Sequence, residues 1–376
     1  MKMRIFYIGH YVDPNNPLKY KIAMSGVAKM EYIIYALKRA GFYINVYSLA
    51  PYIEGEYYWT SNCSSLIDEN EKINYPFCFR ESSFIFKVIN RIIIYSQFLF
   101  FCLFKIKKSD KILVYHSWQY RYIINILRML GKKFYFEIEE IYNAAWNKNN
   151  DLISKEILFL QKSSGYIFIN DIIADKCGFE KNIGIVCYGD YRIKKKNNIL
   201  RDKTIRLIYA GFIGDKSEDV YLALEVMQYL PIYYELGIIG YGSTQHINDL
   251  ENRIEELNIL LKRNAIHYDG CLYGKAYEEY VSGFNIGLCP RRLSNDLSDY
   301  TFPSKVLSYL GLGIIPVCAR LSCLEKSKIA NDIYFFKSLE PSEMAKVIIN
   351  IRLPKVISRN IDSLDHKFIS ELKSLF

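Results

Sequence analysis

Short, nearly continuous apolar runs alternate with amphipathic stretches along the chain, and this alternation limits the fold more than any other feature. In the first half the runs are RIFYIGHY, YINVYSLAP, KILVYHS, KKFYFEIE, GYIFIND and IGIVCYG. In the second half they are IRLIYAG, YYELGIIGYG, NAIHYDG, NIGLCP, IIPVCAR and DIYFF. Strands with no polar alternation are buried on both faces, which calls for a parallel sheet covered by helices on each side. The clearest helix is SGVAKMEYIIYALKRAG. Ser25 is placed to cap it, Val27, Met30, Ile34 and Leu37 form its buried stripe, and Gly41 closes it.

The polar, basic segment Gly189–Lys203 interrupts the rhythm, after which the alternation restarts. The expected architecture is therefore α/β, with two doubly wound, Rossmann-like parallel-sheet domains facing each other across a cleft. Residues 1–190 form the first domain, 191–203 a linker and 204–353 the second domain. Residues 354–376 form an amphipathic, helical tail that packs back toward the first domain. Ligands of such folds bind at the carboxyl ends of the strands.

A chain of 376 residues is long enough for two cores, and 51% apolar with 24% charged residues is globular rather than disordered or fibrous. The net charge of +9 favours acidic partners: nucleic acid, an anionic membrane surface or phosphorylated substrates. No nucleic-acid recognition module is evident, and outside Gly189–Lys203 the basic residues are dispersed, so nucleic acid is not an expected partner. The nine cysteines have no metal-finger spacing and read as reduced thiols. MKMRIFYIGHY enters a strand directly, without a signal peptide. The most apolar run, Ile92–Phe104, is thirteen residues long, against about twenty for a bilayer span. These features predict a cytoplasmic protein.

Asp299–Val317, DYTFPSKVLSYLGLGIIPV, compresses a loop, a short helix and a strand. Pro303 suits a first helical turn, Val306, Leu307 and Leu310 repeat at helical spacing, and Gly311 and Gly313 stop the helix. A polar loop leading into a helix N-terminus is a place for an anion. Lys305 in that first turn opposes the helix dipole unless an anion is present.

The ordered series LIYAGFIGDKSED, LGIIGYG, HYDGCLYGKAYEEYVSGFNIGLCP and FPSKVLSYLGLGIIPV resembles the GT-B glycosyltransferases, in particular the large retaining group often called family 4. The likeness runs from Arg4 to about Arg352 and is clearest over Ile205–Val317. It implies metal-independent, cofactor-free transfer of a sugar from a nucleotide donor, with UDP the expected nucleotide. The acceptor would be a hydroxyl of a glycan or of a lipid-linked saccharide. Lys216 matches the family's diphosphate lysine, and Gly211 and Gly240 lie in the matching strand-end turns. Lys305 would share the diphosphate, with Pro303 and Ser304 opening its helix. Ser25 and Gly26 match the point where the other domain's amides approach the diphosphate. His116 matches a histidine near the sugar, although a lone histidine at a strand end is more often a packed or capped residue.

Three departures stand out. Phe212 replaces the family's arginine, a charge that Arg291 and Arg292 could restore. Tyr300 and Ser308 occupy the positions of two glutamates eight residues apart. Asp299 or Asp296 could replace the first carboxylate, and Ser308 could reach a ribose hydroxyl more weakly than a charged acceptor. Either the donor geometry differs or the chain is an inactive partner subunit that binds nucleotide or another glycosyltransferase.

EIEEIY ends the fourth strand with Glu137 and Glu139 on one face and Glu140 on the other. Glu139 is a candidate acid–base residue; a metal is disfavoured because the sequence places no third ligand. Phe84–Lys108 is an apolar, basic helix. It could touch an anionic membrane at the inner face of the cell, but base rates favour a core helix covering the sheet.

Overall fold

In the computed structural model the chain divides into two compact units. The first comprises Met1–Asp190, Asp299–Phe302 and Asp365–Phe376, and the second Tyr191–Ser298 and Pro303–Leu364. The structure describes residues 2–13, 19–20, 24–54, 57–60, 63–146, 148–194, 203–214, 219–291, 299–353 and 359–376.

The first unit is built on an eight-stranded sheet: β1 Arg4–Gly9, β2 Tyr43–Ser48, β3 Cys63–Asp68, β4 Glu71–Tyr75, β5 Lys111–Tyr115, β6 Tyr135–Ile138, β7 Tyr166–Phe168 and β8 Gly184–Val186. Their spatial order is β3-β4-β2-β1-β5-β6-β7-β8. All neighbours run parallel except β3 and β4, which form an antiparallel hairpin at one edge. The order reverses between β1 and β5, and the carboxyl ends of the strands at such a switch point are where ligands of open α/β sheets bind. The hairpin strands lie outside the six runs expected from the sequence. CSSLID is largely exposed, so it carries no apolar signal.

Helix α1, Met24–Arg39, follows β1. Its start differs from expectation: Ser25 lies inside the first turn rather than at the cap. Gly41 ends the helix as expected, with φ +98°. The stripe of Val27, Met30, Ile34 and Leu37 is buried, and so are Tyr32, Ile33 and Ala36. The wider burial has a cause in the C-terminal helix, where Asp365 Oδ1 accepts a hydrogen bond from the Tyr32 hydroxyl at 2.8 Å and Phe368 stacks on the Tyr32 ring. Helix α2, Phe84–Phe104, begins at Ser83, whose hydroxyl accepts from Phe86 N. The expectation of a core helix fails here, because only 11% of its most apolar window is buried.

The second unit holds a six-stranded, wholly parallel sheet: β9 Ile205–Phe212, β10 Tyr234–Tyr241, β11 Ile266–Tyr268, β12 Ile286–Cys289, β13 Ile315–Ala319 and β14 Tyr334–Phe336. The order β11-β10-β9-β12-β13-β14 is that of a dinucleotide-binding domain, with its switch point between β9 and β12. Leu207, Ile208, Leu236, Ile238, Leu288, Val317 and Cys318 are fully buried, as double-sided cover by helices requires. Among those helices are α3, Gly274–Val281, and α4, Lys305–Gly311.

Candidate functional site

In the second unit the sequence-predicted residues Gly211, Gly240, Arg291 and Lys305 gather at the switch point. Gly211 and Gly240 are register partners near the ends of β9 and β10. A Cβ on Gly240 would stand 1.8 Å from the Gly211 carbonyl oxygen, so the two strand ends approach only because neither carries a side chain. A Cβ on Gly211 would meet Lys305 Nζ at 2.5 Å, which puts the ammonium group directly against the β9 backbone. Lys305 is the first residue of α4, and the first helical turn closes through a 3.1 Å bond from Val306 N to the Pro303 carbonyl. Ser304 is exposed at the cap position and makes no side-chain capping bond.

Lys305 Nζ stands 4.2 Å from the centre of the Tyr209 ring. Tyr209 is held in turn by a 3.1 Å bond from its hydroxyl to the Phe212 carbonyl. Burial pulls the Lys305 pKa below its ordinary value; Cys289, Asp219 and Cys318 oppose that shift and Arg291 reinforces it. No carboxylate among the described residues closes an ion pair with Lys305. Beneath it, Cys289 and Cys318 are register partners on β12 and β13. The hydrogen bond from Cys318, together with Lys305, outweighs burial and draws the Cys289 thiol below its ordinary value. Arg291 stands two residues beyond β12, near enough for its charge to act on both Lys305 and Cys289. Lys216, Arg292 and Asp296 lie outside the described residues.

Ser308 has a different setting from the one expected. Its hydroxyl is 3.1 Å from that of Tyr277 on α3, so it already has a protein partner. Asp299 and Tyr300 belong with the first unit. Asp299 is 3.4 Å from Lys176, and the carbonyl of Tyr300 accepts from Ile141 N at 3.3 Å. The Asp299 carboxylate is thus engaged with a lysine of its own unit.

In the first unit the expected residues cluster where β1 and β5 end. The space that a Cβ would need at Gly26 is filled by His10 Nε2 at 2.6 Å and the Tyr115 hydroxyl at 3.0 Å. His10 packs edge-on against Tyr115, and burial lowers its pKa to about 4, leaving a neutral ring. The His116 ring is fully buried, with Nε2 2.7 Å from Glu156 Oε1. Glu156 also accepts from Tyr142 N at 2.9 Å and Asn143 N at 2.8 Å. The His116 side chain is thus committed within the first unit, as the packed-histidine reading has it, which leaves only the carbonyl for the part that the resemblance gives this residue.

Glu139 sits 3.4 Å from the buried Lys29. Glu137 is fully buried and accepts from the Tyr7 hydroxyl. Burial, then the charge of Glu139, raises the Glu137 pKa well above the carboxylate range, and burial raises Glu139 as well. Burial disfavours the Lys29 ammonium, but Cys187, Glu139 and Glu137 outweigh it and raise its pKa. Sequence reasoning missed His10, Lys29, Tyr7 and Tyr209. His10 carried a usable signal, since it follows β1 as His116 follows β5. Lys29 had none, because a lysine within a helix reads as solvent-facing.

No protein-family model matches the sequence, and no curated protein matches it. Solved structures do match in fold. An E. coli trehalose-6-phosphate structure with UDP-2-fluoro glucose bound has a TM-score of 0.67 at 12% identity, over 98% of this chain and 99% of that one. Anabaena HepE in complex with UDP has a TM-score of 0.66 at 9% identity, over 99% and 98%. The catalytic domain of starch synthase IV from Arabidopsis thaliana, bound to ADP and acarbose, has 0.67 at 10% identity, over 100% and 99%. At such identities the likeness establishes the fold, which is that of the GT-B glycosyltransferases.

Proposed function

We propose that this chain is a glycosyltransferase that moves a hexosyl group from a nucleotide sugar, with UDP as the nucleotide, to a hydroxyl of a glycan or lipid-linked saccharide. One observation carries the reading: Lys305, pressed on the β9 backbone beside Arg291, makes no ion pair with any described carboxylate. The similar folds have UDP, a UDP-sugar or ADP bound. Cleavage of the sugar–phosphate bond places negative charge on the departing diphosphate, and fixed cations stabilise that charge as it develops. Lys305 and Arg291 would fill this role, with Lys216 as a third cation. Retention of configuration and independence of metal belong to this reading. So do cytoplasmic work at the inner face of a membrane, where a lipid-linked acceptor is presented, and Glu139 as the acid–base group.

The inactive-partner reading gains from Ser308, whose hydroxyl is committed to Tyr277 at 3.1 Å where the family resemblance expects a glutamate. Incubation with a set of radiolabelled UDP-sugars separates the two readings. A transferase releases UDP from at least one donor, and Lys305→Ala loses that turnover. A partner subunit binds nucleotide without turnover in either form.

A further inference from the structure

Helix α2 is attached to the protein along one side only. Asn90 accepts from Phe79 N at 2.8 Å and donates to Phe79 O at 2.7 Å, while Gln97 donates to the Phe77 carbonyl at 2.8 Å. Phe98 and Cys102 are buried, and the Phe101 ring lies 4.7 Å from that of Tyr47. The other side is apolar and open. Phe84 is 79% and Phe104 76% exposed, and Ile85, Val88, Ile92, Phe100 and Leu103 between them are exposed as well. An apolar stripe of this length, interrupted on its outer line by Ser96, is unlike the scattered apolar residues of an ordinary surface.

Two further observations define what covers it. From Phe84 to Lys108 the charged residues are Lys87, Arg91, Lys105, Lys107 and Lys108, with no Asp or Glu among them. All five are exposed. Near the start of the helix, Trp59 pairs with Phe79 in a short antiparallel ribbon, and Phe79 meets Phe86 with ring centroids 5.7 Å apart. Tyr57, Tyr58 and Trp59 are exposed beside it, and the Arg80 guanidinium lies 4.6 Å from the Tyr58 ring centre. Exposed Trp and Tyr flanking an apolar, basic helix match the headgroup level of a bilayer.

We infer that α2 lies flat in the headgroup region of an anionic membrane. Its outward apolar stripe meets the acyl boundary, its lysines meet lipid phosphates, and Tyr57–Trp59 sit at the interface. The helix does not cross the bilayer, because a span would withdraw Asn90, Gln97 and Phe98 from their protein partners. A second copy fits poorly, since a two-fold contact would set five cations against five with no compensating acid. This surface stands independently of the sugar-transfer reading, and its test uses no nucleotide.

The full chain is sedimented with vesicles of phosphatidylglycerol and phosphatidylcholine, and with phosphatidylcholine alone. Strong binding to the anionic vesicles is expected, on the order of tenfold or more above the neutral ones, lost at high salt and accompanied by a blue shift of tryptophan emission. The triple variant Ile85→Ser, Phe100→Ser, Phe104→Ser, checked for native thermal unfolding, should lose at least tenfold in anionic-vesicle binding. Lys105→Gln with Lys107→Gln and Lys108→Gln should lose on the order of tenfold without touching the apolar face. The inference is overturned if the chain stays in the supernatant, if the triple serine variant binds as wild type does, or if α2 instead mediates a dimer that these serines dissociate.

Discussion

Lys305 Nζ rests 4.2 Å from the centre of the Tyr209 ring, and this contact aims the cation along the end of β9. A cation–π contact contributes about 0.5–2 kcal/mol, enough to orient an ammonium group but less than a charge-assisted bond to an anion. The group is thus positioned before any ligand arrives, and a diphosphate would find it already oriented.

The depressed pKa of Lys305 predicts how nucleotide binding depends on pH. An anion favours the charged lysine, so the pKa must rise on binding. UDP affinity should then be highest above the last ionisation of the diphosphate, near about pH 6, and below the pKa of free Lys305. It should decline as pH climbs through that depressed value. Calorimetric titration across this range checks the slope. Lys305→Arg should abolish the alkaline decline, because arginine does not titrate there. Cys289 and Asp219 also face this lysine, so Cys289→Ser is the control that should leave the decline in place.

Gly240→Ala should be costly. Its methyl would fall 1.8 Å from the Gly211 carbonyl oxygen, a backbone atom that cannot swing aside. Overpacking of this kind costs about 1–3 kcal/mol, read as a drop of several degrees in Tm. UDP affinity should fall with it, since the β9 end that supports Lys305 must shift.

Glu156 joins the buried His116 to the amides of Tyr142 and Asn143. Glu156→Ala leaves all three without an acceptor and should cost about 3–5 kcal/mol; Glu156→Gln should cost less. Chemical denaturation measures both. UDP affinity of the folded fraction should stay within twofold of wild type, because this group works through packing.

Ser308→Ala should cost about 1 kcal/mol of stability through loss of the Tyr277 bond. Its effect on UDP affinity should be under twofold. A large loss of affinity with no change in Tm would instead place Ser308 on the ribose.

Legibility in the sequence followed physical contrast. Both parallel sheets could be read because their strands are apolar on two faces, and Gly41 could be read because a positive φ demands it. Of the β3–β4 hairpin, β3 was missed because an exposed edge strand carries no apolar signal, and β4 because its buried Glu71, Ile73 and Tyr75 alternate with polar residues. The position of Lys305 was readable from the cost of placing a cation at a helix start. Its partner Tyr209 was not, because it lies nearly a hundred residues away on a strand that reads only as buried. At His116 a strand-end histidine is legible, but not its partner Glu156, which reaches it from a separate helix. Helix α2 misled by composition: a long apolar helix reads as core, and only the fold shows how little of it is covered.

The central claim is that Lys305 and Arg291 receive a diphosphate. Calorimetric titration of UDP and UMP against wild type and Lys305→Ala tests it most directly. The predicted result is UDP bound at least tenfold more tightly than UMP by wild type, with that margin lost in the variant while uridine-level binding persists. Equal affinity for UDP and UMP in wild type, or an undiminished margin in Lys305→Ala, would contradict it.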